Sequence, residues 1–331
     1  MAIDAAQRPA CEPFLPQPPP IGQFADLKPR DMIGASFVAS CSAVTGLSLY
    51  FSTSTQFLIW FAAQVTLAIA MLQWFVLLHE AGHKTLFKTA WMNKFSGHLA
   101  SLLAGIPFEC WKAIHGMHHR WTGWQDLDAT TATLVPRPLA WSERLLVNVC
   151  WRLWIPVFAL LYRVQNYWNL PRLFRLFPKP RQRRALAWNS LLLLSVYTAI
   201  AYWLGMAWLL QIFGVATLIT LIMQDILILS QHTHVPMELS HGESVKPFTP
   251  AEQEVFTRSL KFPRWFSSYV LLNLDAHELH HMYTSVPGYC LQQIHYETHN
   301  RVVWWRWLLR ARRIPGELFL FQNRNQSGFD I

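Results

Sequence analysis

The sequence is short of charge. Only 14% of its 331 residues are Asp, Glu, Lys or Arg, against about 25% in an ordinary soluble domain. It also lacks cofactor and cluster signatures: there is no CxxC pair, no iron–sulfur cysteine run, no GxGxxG and no HPGG string. The five cysteines therefore signal neither a disulfide framework nor a thiolate metal site, and reduced thiols are expected. Residues 1–31 lack the early apolar core of a secretory signal. They carry Asp4, Glu12, Asp26, Asp31 and the prolines at 13, 16 and 18–20, which reads as a flexible Pro-rich lead-in. No repeat of fixed period is visible.

What is abundant is apolar. Hydrophobic residues make up 52% of the chain, mean hydropathy is +0.17, and the 17 tryptophans suit a membrane–water interface. Four stretches are long and apolar enough to span a bilayer, at about 32–51, 57–78, 185–203 and 206–230. The links at 52–56 and around Gly205 are short, so two hairpins are expected. Residues 1–31 hold three Lys/Arg, residues 79–184 fifteen and residues 231–331 ten; neither link holds any. The positive-inside rule then places both termini and the long middle segment in the cytoplasm. It also assigns the net charge of +9 to anionic headgroups rather than to nucleic acid. The stretches 97–108 and 145–162 are expected to lie in or dip into the interface, as is the tail 302–331 with its alternating Trp/Leu and Arg.

The histidines are clustered. His79 and His83 lie in HEAGH, His115, His118 and His119 in HGMHH, and His277, His280 and His281 in HELHH. Positions i, i+3 and i+4 share one face of a helix, so each cluster presents its imidazoles together. His232, in QHTH after the fourth span, is a ninth candidate, with His234 as the alternative. All are on the side of the membrane assigned to the cytoplasm. Eight or nine imidazoles exceed what one metal needs; divided between two metals they give four or five each, which suits iron. HEAGH and HELHH also match HExxH, so an intramembrane zinc protease, with Asp275 as a possible third ligand, is an alternative. It leaves the other histidines unexplained. A haem protein would want paired histidines inside the spans, and there are none.

The three boxes, with QHTH and the string Met282-Tyr-Thr-Ser-Val-Pro-Gly-Tyr289, make the sequence resemble the membrane fatty acid desaturases. This superfamily of histidine-box di-iron enzymes also includes hydroxylases and ketolases, and the likeness is strongest to acyl-lipid desaturases. The resemblance covers about residues 32–295. It implies an all-α membrane protein: four transmembrane helices in two hairpins, with a cytoplasmic helical cap carrying the boxes over about 32–301. It implies two iron ions held by His79, His83, His115, His118, His119, His232, His277, His280 and His281, with O2 as co-substrate. It further implies a long-chain acyl lipid or fatty acid as substrate and double-bond formation as the reaction. A hydroxylase, ketolase or alkene-forming fatty acid decarboxylase could use the same scaffold. The Asn that some relatives place four residues before the ninth His is Ile228 here. Asp126, Asp128, Asp225, Asp275 and His234, with Glu80 and Glu278, are candidates to orient the ligands. Asp225, within a span and two turns from His232, suggests a link to the site. Trp74, Trp111 and Trp121 could line a substrate route. Since the chain has no redox module of its own, a separate ferredoxin or cytochrome-b5 type donor is expected.

Overall fold

A computed structural model describes residues 18–329 and 331; the start of the Pro-rich segment lies outside these. The chain is mostly helical, with four helices long and apolar enough to cross a membrane. These are α1 (Asp31–Phe51), α2 (Phe57–His83), the third span Pro180–Leu204 and the fourth Met206–His232. The first pair pack along each other through Cys41 and Ala70, and Ser48 meets Thr66 at 2.9 Å. Between the pairs lie α3 (Ala90–Ala104), α4 (Phe108–Trp121), α5 (Trp141–Leu153), α6 (Val157–Arg163) and α7 (Leu170–Leu176), after which the third span is α8. The third span lies against α4, where Cys110 Sγ is 3.3 Å from Ser190 Oγ and Asn189 Oδ1 accepts the Glu109 N–H at 2.8 Å. The fourth lies against α2, Thr220 donating to the Ala68 carbonyl at 3.2 Å.

The fourth span is not a uniform helix. It opens as α9 (Met206–Leu209), loosens into a π turn over Leu210–Gly214, and continues as α10 (Val215–His232). A π turn breaks the regular ladder, and in hydrocarbon every freed backbone group needs another partner. Gln64 on α2 supplies it. Its fully buried amide donates to the Ile212 carbonyl at 2.8 Å and accepts the Ala216 N–H at 3.0 Å. The polar residue that interrupts the second apolar stretch is thus what repairs the fourth.

The stretch expected at 145–162 is two helices, the pair Trp141–Leu153 and Val157–Trp168 bent by 115°. Trp154 turns left-handed (φ 58°) and Pro156 precedes α6. Residues 97–104 belong to α3, which packs on α2, where the Phe108 ring would lie 2.4 Å from any Cβ placed on Gly97.

Two features add to the expected helical architecture. The chain is not wholly helical: Ser259–Lys261 (β1) and Arg301–Val303 (β2) form a parallel two-stranded sheet with Ser259 opposite Arg301. It holds the third box, α11 (His277–Met282), beside the tail. The Leu260 N–H bonds the Asp275 carbonyl at 3.0 Å, and the Asn300 N–H bonds Glu278 Oε1 at 2.7 Å. The tail expected at the interface also packs on the rest of the protein. Its helices α12 (Trp304–Ala311), α13 (Gly316–Phe321) and α14 (Arg324–Ser327) bury Trp307 and Phe319, and Phe319 stacks on Trp151 at 4.5 Å. The described part of the lead-in is packed too: Phe24 meets the Tyr283 ring at 5.1 Å, and the Tyr283 hydroxyl donates to the Pro19 carbonyl at 2.7 Å.

Replacing Gln64 with Leu would leave Ile212 O and Ala216 N–H without their partner, at about 1–3 kcal/mol for each unsatisfied group. Thermal unfolding in detergent should show a lower Tm for Gln64→Leu and an unchanged one for the same change at exposed Gln211.

Candidate metal centre

Each box is delivered by a helix end. Helix α2 runs without a break from the second span through His79 and His83, and stops where Lys84 adopts the left-handed conformation (φ 64°). Helix α4 carries His115, His118 and His119, α10 ends at His232, and the short α11 carries His277, His280 and His281. Helix-to-helix approach is close where α2 meets α4. A Cβ on Gly82 would lie 2.2 Å from the Trp111 ring, so this position must be glycine for α4 to seat. Trp111 in turn stacks on His115 at 4.3 Å and meets His79 edge-on at 5.3 Å.

All nine predicted imidazoles converge. His79, His83, His115 and His280 form one group with candidate ligand atoms within 4.8 Å of one another; His118, His232, His277 and His281 form a second on the same criterion. His119 joins the first group, its Nε2 being 3.0 Å from His115 Nε2 and 3.1 Å from His280 Nε2, while its ring lies 4.3 Å from His281. Similar Nε2 pairs recur at His83–His115 (2.7 Å) and His232–His277 (2.8 Å).

The outer nitrogens explain why the inner ones point inward. His118 Nδ1 lies 2.6 Å from Asp128 Oδ2, His281 Nδ1 donates to Gln253 Oε1 at 2.9 Å, and His232 Nδ1 donates to the Phe256 carbonyl at 3.3 Å. His79 Nδ1 lies 3.3 Å from Glu80 Oε1. With Nδ1 occupied outside, the Nε2 lone pair is left for the interior. His79 Nε2 is buried and has no hydrogen-bond partner. Burial, and then the neighbouring rings, hold His115, His119, His277, His280 and His281 well below the ordinary histidine range. These rings are therefore neutral at pH 7, the form that binds a metal. Asp128 is fully buried, which opposes its ionisation, yet His118 and the Thr130 N–H hold it below the ordinary carboxylate range.

The other predicted polar neighbours are elsewhere. His234 turns left-handed (φ 58°) and meets Ser327 Oγ at 2.7 Å, so His232 alone of the QHTH pair reaches the cluster. Asp126 accepts from the Ser240 N–H at 3.0 Å and from its hydroxyl. Asp225 is not linked to the histidines: its Oδ1 accepts the Ala159 N–H at 2.6 Å, satisfying the open first turn of α6. Asp275 accepts from Ser267 Oγ at 2.6 Å, and burial raises it to about 6. Glu80 binds Thr85 Oγ1 at 2.8 Å and the Gly288 N–H at 2.9 Å; Glu278 is likewise held by Asn300. Both glutamates of the HExxH strings are thus fixed by other groups, and Asp275 is no third ligand.

A small chamber of about 40 Å³ adjoins the imidazoles and is walled by Phe75, Trp111, Tyr162, Tyr167, Ile228 and Leu274. Nearby residues of the same helices, Leu72, Met223 and Leu227, line a wholly apolar cleft of about 350 Å³ with Phe262, Phe266 and Trp304. Of the tryptophans expected along a route, only Trp111 lines this chamber; Trp74 donates to Thr45 Oγ1 at 2.9 Å and Trp121 lies beneath Arg120. Sequence reading missed Tyr162, Tyr167 and Gln253, which come from segments without any spacing signal.

The profile of the fatty acid desaturase family matches residues 55–307, more than half of the chain and all three boxes. The chain belongs to that family. It is an oxidoreductase and, with its four apolar spans, a membrane protein. It is similar to an sn-1 oleoyl-lipid 12-desaturase of Picosynechococcus (23% identical over 80% of this chain and 74% of that one). It is also similar to a ferredoxin-type sn-1 acyl-lipid omega-3 desaturase of Nostoc (24%; 66% and 61%). A third relative is an endoplasmic-reticulum omega-6 fatty acid desaturase of Glycine max (26%; 65% and 58%). The chain thus spans between 58% and 74% of the length of these relatives.

Gly82→Val should force the Trp111 ring off His79 and His115. Overpacking of this kind costs about 1–3 kcal/mol, visible as a lower Tm and altered tryptophan fluorescence. Gly116, in the second box, has nothing within 4 Å of a Cβ. Gly116→Ala should therefore raise stability by about 0.5–1 kcal/mol, as expected at a helix interior.

Proposed function

We propose that this desaturase-family chain introduces a double bond into a long acyl chain carried by a membrane lipid, using two irons and O2. The observation that carries the reading is the division of nine imidazoles into two adjoining groups beside a chamber with apolar walls. His79, His83, His115, His119 and His280 would hold one iron, and His118, His232, His277 and His281 the other. An unactivated methylene pair needs an oxidant that no amino-acid side chain supplies, and two bound irons would supply it. The overall change removes two hydrogens from –CH2–CH2– and reduces O2, with two electrons and two protons from outside, to two waters.

The residues around the cluster do the rest. Asp128, Gln253 and the Phe256 carbonyl fix ring tautomers and directions. Trp111, Phe75, Ile228 and Leu274 hold the acyl methylenes against the imidazoles and exclude water. The apolar cleft at Met223 and Phe266 receives the chain from the bilayer. Two span pairs capped by the box-bearing helices would make up a domain over 32–301, with 302–331 as a basic, aromatic interfacial tail packed against it. The absence of Lys/Arg from both links supports a cytoplasmic centre and cytoplasmic termini. Electrons come from a separate ferredoxin or cytochrome-b5 type carrier.

Metal analysis of the purified protein should return two irons per chain; one zinc and no iron would end the proposal. Asp128→Asn should weaken metal binding about 10–100-fold, read as lower iron occupancy under chelator challenge. Lipids from expressing cells, examined by gas chromatography, should gain unsaturated acyl chains. That gain should vanish in His118→Ala, while hydroxylated chains or terminal alkenes would replace the desaturase reading.

A further inference from the structure

The two flanks of α4 differ. His115, His118 and His119 face the cluster, whereas Lys112, Gly116 and Arg120, one turn apart, are exposed on the other side. A helix with its side chains is about 10 Å across, so on this flank α4 separates the imidazoles it carries from the outside. Nothing lies within 4 Å of a Cβ on Gly116, which leaves a gap in the side-chain cover between the two cations. Arg120 lies over the Trp121 ring at 5.4 Å. Lys84, exposed, directly follows His83 at the end of α2.

The segment that carries α4 is predominantly basic. Residues 79–184 contain fifteen Lys/Arg and five Asp/Glu. Of those five, Glu80 and Asp128 are buried, Asp126 is bonded to Ser240 and Glu143 is paired with Arg137. The fifth, Glu109, pairs with Lys112 itself at 2.6 Å. No carboxylate of this segment is left exposed and unpaired.

We infer that the outer face of α4, centred on Lys112, Gly116 and Arg120, is where an acidic one-electron carrier protein docks. The inference rests on the proposed redox function and gives its electron entry a location. Docking here brings the carrier's redox group within one helix thickness of His115 and His119, with no longer route through the fold. Charge complementarity orients the encounter, and the uncovered Gly116 lets the carrier's surface approach the backbone. Two carriers dock in turn, each giving up one electron. With two protons and the two hydrogens of the methylene pair, these account for the reduction of one O2 to two waters.

The test uses the full chain in nanodiscs of neutral phosphatidylcholine and a plant-type [2Fe–2S] ferredoxin. The wild type should bind it at low ionic strength and lose binding at high salt. Lys112→Glu combined with Arg120→Glu should weaken binding about tenfold or more, while dithionite-driven single-turnover product formation stays at the wild-type level. Equal ferredoxin affinity in the double variant would overturn the inference. So would wild-type binding that survives high salt, or an effect of the substitutions confined to nanodiscs of anionic lipid. Absence of dithionite-driven product in the wild type would count against the proposed reaction instead, and leaves the binding comparison to judge the docking face. A folded double variant is verified by an unchanged Tm, and Lys112→Gln with Arg120→Gln should give an intermediate affinity.

Discussion

One constraint governs this fold: nine imidazoles sit together, most of them out of water. Burial together with mutual proximity drives His115, His119, His277, His280 and His281 to the neutral form. Neutrality alone does not aim a lone pair. The aim comes from acceptors placed behind the rings, Asp128 for His118, Gln253 for His281 and the Phe256 carbonyl for His232. These acceptors come from two separate stretches of chain, the loop at Asp128 and the turn Glu252–Phe256, so the cluster stands only when both have folded around it.

The spans and the boxes were legible in the sequence because both are periodic signals. Uninterrupted apolar runs give helices of bilayer length, and i, i+3, i+4 spacing puts imidazoles on one flank. The observed spans agree with the expected ones to within five residues at each end. His232 was legible by its place after a span. What was not legible depends on tertiary contact. Asp225 reads as a costly intramembrane acid, and its proximity to His232 in sequence suggests a shared role. In space it faces α6 and satisfies the Ala159 N–H. His234 differs from His232 by two residues, and the left-handed turn at its own backbone sends it to Ser327 instead. The parallel pairing of residues 259–261 with 301–303 joins segments about forty residues apart, and three-residue strands carry no usable alternation.

The polar residues inside the spans show the same division of labour. Gln64 and Gln224 look like blemishes in hydrophobic runs. Gln64 mends the π turn of the fourth span, and Gln224 receives the Arg163 guanidinium at 2.8 Å, while Arg163 also reaches the Ala104 carbonyl at 2.7 Å. One arginine and one glutamine thereby join α3, α6 and α10 where lipid offers no hydrogen bonds. Buried Arg258 does similar work below them, donating to the carbonyls of Ser230, Thr233 and His234 and so holding the chain on either side of His232.

The unbroken passage of α2 from hydrocarbon into its histidines has a mechanical corollary. His79 and His83 terminate one span and His232 terminates another, with no flexible joint between either box and its membrane anchor. The height of the reaction chamber above the lipid midplane is therefore geared to bilayer thickness. A leaflet that thickens or thins, and so tilts the two helices, carries these three imidazoles with it relative to the rest of the cluster.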